Sequence, residues 1–128
     1  MKIIISNETI DDIREIYRHI KKDSEKYAKV TVNNIYSSIY LLDKMPYIGR
    51  YIPEISDDKF REIIFKNYRI GYNVSSDSNI IYIRFVIHSK RDFSNFFSKF
   101  YSWLFFFNLN SFIFIKSNIV FYVIHIFV

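Results

Sequence analysis

The sequence predicts an α+β domain in which an N-terminal strand and an antiparallel helical hairpin pack on a small, mainly antiparallel β-sheet. Two observations predict this fold class. Before Pro46, apolar residues recur at helical spacing in two segments. After it, three short β-rich runs are separated by connectors of only two and five residues. Connectors of that length join antiparallel neighbours, so the runs are predicted to form a meander.

The helical half begins with a short strand over residues 2–5. A helix is expected to follow it, capped by Ser6, Asn7 or Thr9, because Thr9 and Asp12 resemble a capping box. Its apolar stripe is Ile10, Ile13, Tyr17 and Ile20, and the stripe of the second helix is Ala28, Val32, Ile35, Ile39 and Leu42. The second helix must end before Pro46, and the two matching stripes predict a helical hairpin.

The three later strands are predicted over residues 60–65, 68–74 and 80–87, and the first strand is expected to join the sheet at one edge. Side chains alternate along a strand, so the residues of one face can be read from the sequence. In the last strand this reading assigns Ile81, Ile83, Phe85 and Ile87 to the core face, and Tyr82, Arg84, Val86 and His88 to the other.

The same alternation predicts a basic surface on the sheet face away from the helices. It would be lined by Arg61, Arg69 and Arg84, with His88, Lys90 and Arg91 at its end. Such a surface suits an RNA backbone or an acidic peptide. The alternative interpretation is the ordinary solvated face of a half-covered sheet.

Composition narrows the classes of function. The chain has 18 Lys and Arg against 13 Asp and Glu, a net charge of +5, which favours an anionic partner. Cysteine is absent, which excludes disulfides and thiolate metal sites. No glycine-rich phosphate loop, nucleophile elbow or zinc-ligand spacing occurs, so no cofactor or metal is expected. The first residues are too weakly apolar for a signal peptide, and a cytoplasmic location is expected.

The character of the chain changes near residue 98, which divides it into a domain over 1–98 and a hydrophobic extension over 99–128. A short helix is predicted over 93–100. Of the 28 residues from Tyr101 onward, 20 are apolar and ten are aromatic. A membrane span is disfavoured because Asn108, Lys116 and Asn118 interrupt every sufficiently long window. The alternatives are an added strand, an oligomer contact, or an extension read past an ancestral stop codon.

Several short strings in this order resemble the RelE/ParE toxin superfamily, closest to its ParE or plasmid-stabilisation branch. They are Ile10-Asp-Asp-Ile-Arg-Glu-Ile-Tyr17, Leu42 to Pro46, Gly49-Arg50, Pro53-Glu54, Arg61-Glu62-Ile63, Tyr68-Arg69-Ile70-Gly71-Tyr72 and Ile87-His88-Ser89-Lys90-Arg91-Asp92. Each string is unspecific alone, and their order and spacing carry the resemblance, which covers residues 1 to about 98.

The resemblance implies a growth-inhibiting toxin of a type II toxin-antitoxin system, neutralised by a cognate antitoxin protein. ParE-like members inhibit DNA gyrase, whereas RelE-like members cleave messenger RNA on the ribosome with Lys and Arg residues and a C-terminal Tyr or His. Arg69 and Arg91 match the arginines of the RelE pattern. Arg61 and Ile63 replace its lysine pair, and Phe97 stands where its tyrosine is expected.

These departures favour a gyrase inhibitor without nuclease chemistry, in which Arg61, Arg69, Arg84, Lys90 and Arg91 contact the antitoxin or the target. The first alternative is a ribosome-dependent endoribonuclease in which Arg69 and Arg91 stabilise phosphate charge, His88 transfers a proton, and Glu62 or Glu54 acts as base. The second alternative is a degenerate, inactive toxin.

Overall fold

The protein is described by a computed structural model over residues 1–55, 57–91 and 93. Its elements in chain order are β1 (Lys2–Ile5), α1 (Asn7–Lys21), α2 (Glu25–Leu41), β2 (Arg50–Tyr51), β3 (Phe60–Phe65), β4 (Tyr68–Ser75) and β5 (Ile80–His88). The five strands form one sheet in the order β1-β5-β4-β3-β2. The α+β class, the helical hairpin and the antiparallel meander are therefore confirmed. Only the two-residue strand β2 was not predicted.

The sheet is antiparallel except at one edge. β1 runs parallel to β5, with Lys2 opposite Ile80 and Ile5 opposite Ile83. The β3–β4 and β4–β5 pairs are antiparallel, and β2 pairs antiparallel with the first part of β3. The helical hairpin carries the chain from β1 at one sheet edge to β2 at the other. Parallel strands need a long connection, and here the hairpin and the three strands β2 to β4 separate β1 from β5 in the chain.

One of the three residues predicted to cap α1 does so in the structure. Ser6 has extended backbone angles, φ −65° and ψ 153°, and its hydroxyl accepts a hydrogen bond from the Thr9 N–H at 3.1 Å. Ser6 is therefore the N-cap. Thr9 lies within the helix and is buried, where its hydroxyl donates to the Ile83 carbonyl at 3.3 Å. The first turn of α1 is in this way fixed to β5.

The core lies between the helical hairpin and one face of the sheet. Its buried members are Ile5, Ile13, Ile35, Ile39, Leu42, Ile70, Tyr72, Ile81, Ile83 and Val86. Most come from the predicted stripes of the helices and from alternate positions of β4. Burial of these apolar side chains is the main source of stability in a domain that has no cysteine to form disulfides.

Alternation along β5 breaks at a β-bulge. Tyr72 of β4 is opposite Ile83, but the next β4 residue, Gly71, is opposite Phe85, so Arg84 is the extra residue. Beyond the bulge the faces are exchanged: Val86 points to the helices, and Phe85 and Ile87 point away. The predicted face assignment is correct for Ile81 and Ile83 and wrong from Phe85 onward.

The described residues fall into two compact units. Residues 1–89 belong to the first unit, whereas Lys90, Arg91 and Phe93 belong to the second. Within the described ranges no helix is both long enough and apolar enough to cross a membrane. The predicted extension over 99–128 and the helix predicted over 93–100, apart from Phe93, lie outside the described residues.

Candidate functional site

The sheet face away from the helices holds only part of the predicted basic surface. Arg69 is opposite Ile87 and next to Ile70, which points to the core, so Arg69 lies on the far face. Arg84 lies there too, because its Nε donates to the Asn73 Oδ1 at 2.6 Å and Asn73 alternates with Tyr72. This placement agrees with the sequence expectation for Arg69 and Arg84.

Arg61 and His88 lie on the opposite face, contrary to expectation. Arg61 is opposite Tyr72 and His88 is opposite Tyr68, and both tyrosines point toward the helices. The position of Arg61 follows from the register of β3 against β4. The position of His88 follows from the bulge, which exchanges the two faces of β5 after Arg84.

Arg69 is held by two carboxylates. Its Nε donates to the Glu62 Oε2 at 2.7 Å, and its Nη2 contacts the two oxygens of Glu54 at 3.0 and 2.7 Å. Arg50 binds the other oxygen of Glu62 through Nε at 2.9 Å and Nη2 at 2.8 Å. These four residues form what we call the ion-pair network. Because it contains two cations and two anions, it carries no net charge.

Glu62 is the buried centre of this network. Its side chain has 0% exposure, against 11% for Arg69 and 55% for Arg50. β2 brings Arg50 directly opposite Glu62, and β4 brings Gly71 opposite it on the other side. A carboxylate that accepts hydrogen bonds from two guanidinium groups and is closed to solvent is poorly placed to take a proton from a substrate.

The electrostatics of the two far-face arginines differ. Burial lowers the pKa of Arg69, but hydrogen bonds to Glu62 and Glu54 and their negative charges outweigh burial, so its pKa lies above the ordinary value. Burial lowers the pKa of Arg84 to about 10, with small opposing effects from Tyr82 and Glu8. Arg84 also stacks on the Tyr82 ring at 4.8 Å. Both guanidinium groups are thus fixed by neighbours within the domain.

Arg61 is part of a second arrangement at the β2 edge. Its guanidinium lies 4.4 Å from the centre of the Tyr51 ring and 5.4 Å from that of Tyr47. Its Nη1 donates to the carbonyls of Tyr47 and Gly49 at 3.3 and 2.8 Å, and its Nη2 donates to the Tyr51 hydroxyl at 3.2 Å. Arg61 therefore fixes the turn that precedes β2.

His88, Lys90 and Arg91 are the other residues that the sequence predicted for this surface. His88 is half-buried with its ring edge-to-face against Tyr68, 5.4 Å between ring centres. Lys90 and Arg91 are exposed and belong to the second compact unit. In the described part of the chain, no group of three or more His, Asp or Glu residues could hold a metal ion.

Sequence reasoning missed Arg50, Tyr47 and Tyr51. They lie in the turn-rich segment around Pro46 and Pro53, where no periodicity assigns residues to a face. A two-residue strand is too short to give an alternation signal, so the pairing of Arg50 with Glu62 could not be read from the sequence. The structure thus contains two separate arrangements: a neutral ion-pair network on the far face, and Arg61 of β3 packed against the exposed tyrosines of the turn before β2.

Comparison with known proteins agrees with the fold. A solved structure described as the chromosomal ParDE TA system from P. aeruginosa aligns with a TM-score of 0.60 and 16% identity, covering 70% of this chain and 97% of that one. A search of curated protein sequences gives no significant match. The sequence model of the ParE toxin of the type II toxin-antitoxin system parDE matches residues 3–93.

The helical hairpin on a five-stranded sheet, together with these matches, defines a toxin-type α+β domain of the RelE/ParE superfamily. Within that superfamily, the chain belongs to the ParE toxin family of type II toxin-antitoxin systems.

Proposed function

We propose that this chain is a toxin that inhibits DNA gyrase in the bacterial cytoplasm and is neutralised by a cognate antitoxin. Membership of the ParE family supports the toxin role and implies an antitoxin partner. The choice of gyrase over messenger RNA depends on the arrangement of the candidate catalytic residues, because one fold serves both activities.

The observation that carries this choice is the separation of Arg69 from His88. A nuclease of the alternative kind needs a phosphate-binding cation and a proton-transfer group around one scissile bond. Arg69 and His88 lie on opposite faces of the sheet. Glu62 and Glu54, the candidate bases, both pair with Arg69. The charges of Arg69, Glu62 and Glu54 neutralise one another. This favours a toxin that inhibits its target by binding it rather than by cleaving RNA.

Arg84, Lys90 and Arg91 remain proposed contacts to the antitoxin or to gyrase. Lys90 and Arg91 are exposed, and a cationic pair at a protein interface accelerates association with an acidic surface. Arg69 is better assigned to stability than to contact, since its side chain is only 11% exposed.

The test is a supercoiling assay with purified bacterial gyrase and relaxed plasmid, run beside a translating extract. We expect the full chain to inhibit supercoiling in a concentration-dependent way and to leave translation intact. Lys90→Glu combined with Arg91→Glu should weaken inhibition about tenfold. The matched control is Lys22→Glu with Lys26→Glu, an equal change of charge at two exposed lysines, one after α1 and one in the first turn of α2. Translation arrest with mRNA cleavage and normal supercoiling would refute the proposal.

A further inference from the structure

We propose that the turn carrying Tyr47 and Tyr51 is a protein-docking surface for gyrase. In this proposal an acidic side chain of gyrase pairs with Arg61 while apolar gyrase side chains cover the tyrosine rings. The docking surface consists of Tyr47, Tyr51 and Arg61, with Met45 and Ile48 from the same turn. The inference rests on the proposed function for the identity of the partner and goes beyond it in assigning the contact.

The docking surface exposes large apolar side chains in one short segment. Met45, Tyr47, Ile48 and Tyr51 are each about half exposed, at 49%, 56%, 48% and 55%. Tyrosine, methionine and arginine are the residue types enriched where proteins bind one another. Four half-exposed apolar side chains within seven residues of sequence, two of them tyrosines and one a methionine, are a concentration rather than isolated surface residues.

The exposed turn is held in shape by contacts within the domain. The Gly49 N–H donates to the buried Tyr72 hydroxyl at 2.9 Å, and the Ile48 N–H donates to the Met45 carbonyl at 3.2 Å. A Cβ at Gly49 would lie 2.6 Å from the Tyr72 hydroxyl and 2.7 Å from the Glu62 carbonyl, so the backbone packs closely on the sheet. A surface held in shape before binding loses little entropy when a partner docks.

Arg61 gives the docking surface its positive charge. Among the described residues its partners are two carbonyls, one hydroxyl and two rings, and no carboxylate lies within ion-pair distance of it. Arg50 and Arg69, by contrast, are neutralised by Glu62 and Glu54. The docking surface therefore presents a positioned cation between aromatic rings, and a carboxylate from a partner complements it.

The same features favour a protein over a nucleic acid as the partner. Nucleic-acid binding draws its affinity from several cations that neutralise successive phosphates. Here Arg61 lies against the rings of Tyr47 and Tyr51, and the nearby Arg50 is already paired with Glu62. One cation within an apolar surface matches the composition of a protein interface.

The experiment compares two tyrosines of similar environment. Tyr47→Ala removes a ring that is 56% exposed and 5.4 Å from Arg61, and Tyr27→Ala removes one that is 51% exposed and 5.8 Å from Lys66. The concentration for half-maximal inhibition of supercoiling and the affinity for immobilised purified gyrase are measured for both. We expect Tyr47→Ala to lose roughly tenfold or more in both, and Tyr27→Ala to stay within about twofold of the unmodified chain.

Two further variants separate contact from folding. Ile48→Ser changes an exposed side chain of the same turn, and Arg61→Gln removes the charge while retaining amide donors for the two carbonyls. Both should weaken inhibition, and Arg61→Gln should also make gyrase affinity less dependent on salt. Thermal unfolding of each variant verifies that it folds.

The outcomes distinguish this inference from the proposed function. If the unmodified chain does not bind or inhibit gyrase, the proposed function fails and the inference fails with it. If the chain inhibits and all three docking-surface variants inhibit equally well, only the inference fails. Variants that inhibit gyrase normally but escape the antitoxin, or that lose only self-association in light scattering, would assign the surface to another partner and overturn the inference.

Discussion

Glu62 determines the charge at the centre of the sheet face that points away from the helices. An isolated buried carboxylate is costly, but this one accepts hydrogen bonds from Arg50 and Arg69 on separate oxygens. These two contacts offset the energetic cost of burying the Glu62 carboxylate. They also occupy both of its oxygens, so that it is poorly placed to act as a base. The far face of the sheet is therefore neutral at its centre, although the sequence places two arginines on it.

Glu62→Gln tests this structural role. The amide offers one acceptor in place of two and leaves Arg50 and Arg69 close together without their shared anion, so we expect a loss of roughly 3 kcal/mol in the free energy of unfolding. Glu25→Gln, which breaks an exposed contact with Lys29 at 3.8 Å, should cost less than about 0.5 kcal/mol. Urea denaturation measures both. A Glu62→Gln protein as stable as the control would show that the network is dispensable.

Among the elements, β5 has the largest influence on the site. The extra residue at Arg84 changes which side chains reach the far face, and α1 supports the distortion. Thr9 donates to the Ile83 carbonyl, and the Asp12 carboxylate accepts from the Val86 N–H at 3.2 Å. Bulges leave backbone groups outside the regular ladder, and here helix side chains satisfy them.

Gly71→Ala is expected to destabilise the sheet opposite this bulge. A Cβ at position 71 would lie 2.2 Å from ring atoms of Phe85, which is fully buried. The ring must move within a packed environment, so we expect a cost of about 2 kcal/mol or more in the free energy of unfolding.

The double variant Gly71→Ala with Phe85→Leu tests whether a clash with the Phe85 ring causes this loss of stability. The smaller side chain relieves the clash, so the double variant should lose less than the sum of the two single losses. Additive losses in urea denaturation would mean that the cost does not arise from contact between positions 71 and 85.

On the scale of the whole molecule, partly and fully buried tyrosines link stability to alkaline pH. Burial raises the pKa of Tyr36, Tyr40, Tyr68 and Tyr72 above the ordinary value of 10.0. Above that pH the unfolded chain loses phenol protons that the folded chain retains. The folded state then binds more protons than the unfolded state, so stability must fall as pH rises.

We therefore expect the melting temperature to decrease steadily once the pH passes about 10. Tyr40→Phe should reduce this decrease. It should also leave stability at neutral pH within about 0.5 kcal/mol, because the Tyr40 hydroxyl is buried with no hydrogen-bond partner among the described residues. Tyrosines with an ordinary pKa titrate between about pH 9 and 11. A melting temperature that rises over that pH range would contradict the link between tyrosine burial and stability.

The sequence alone determined the fold class and most of the elements. Helical and strand periodicities are local signals, and they arise because each element buries one face. The bounds of α2 and of the strands β3 to β5 follow them closely. The ordered strings of the ParE pattern, likewise, are confirmed by the family match over residues 3–93.

Only the tertiary structure decided which charged residues share a surface. Arg61 and His88 lie on the helix-facing side of the sheet, and Arg69 belongs to a neutral network. The exposed turn at Tyr47 lies beside Arg61, a cation without a carboxylate partner among the described residues. These outcomes depend on strand register and on a single bulged residue. Register is fixed by contacts between positions far apart in the chain, so a local pattern cannot reveal it.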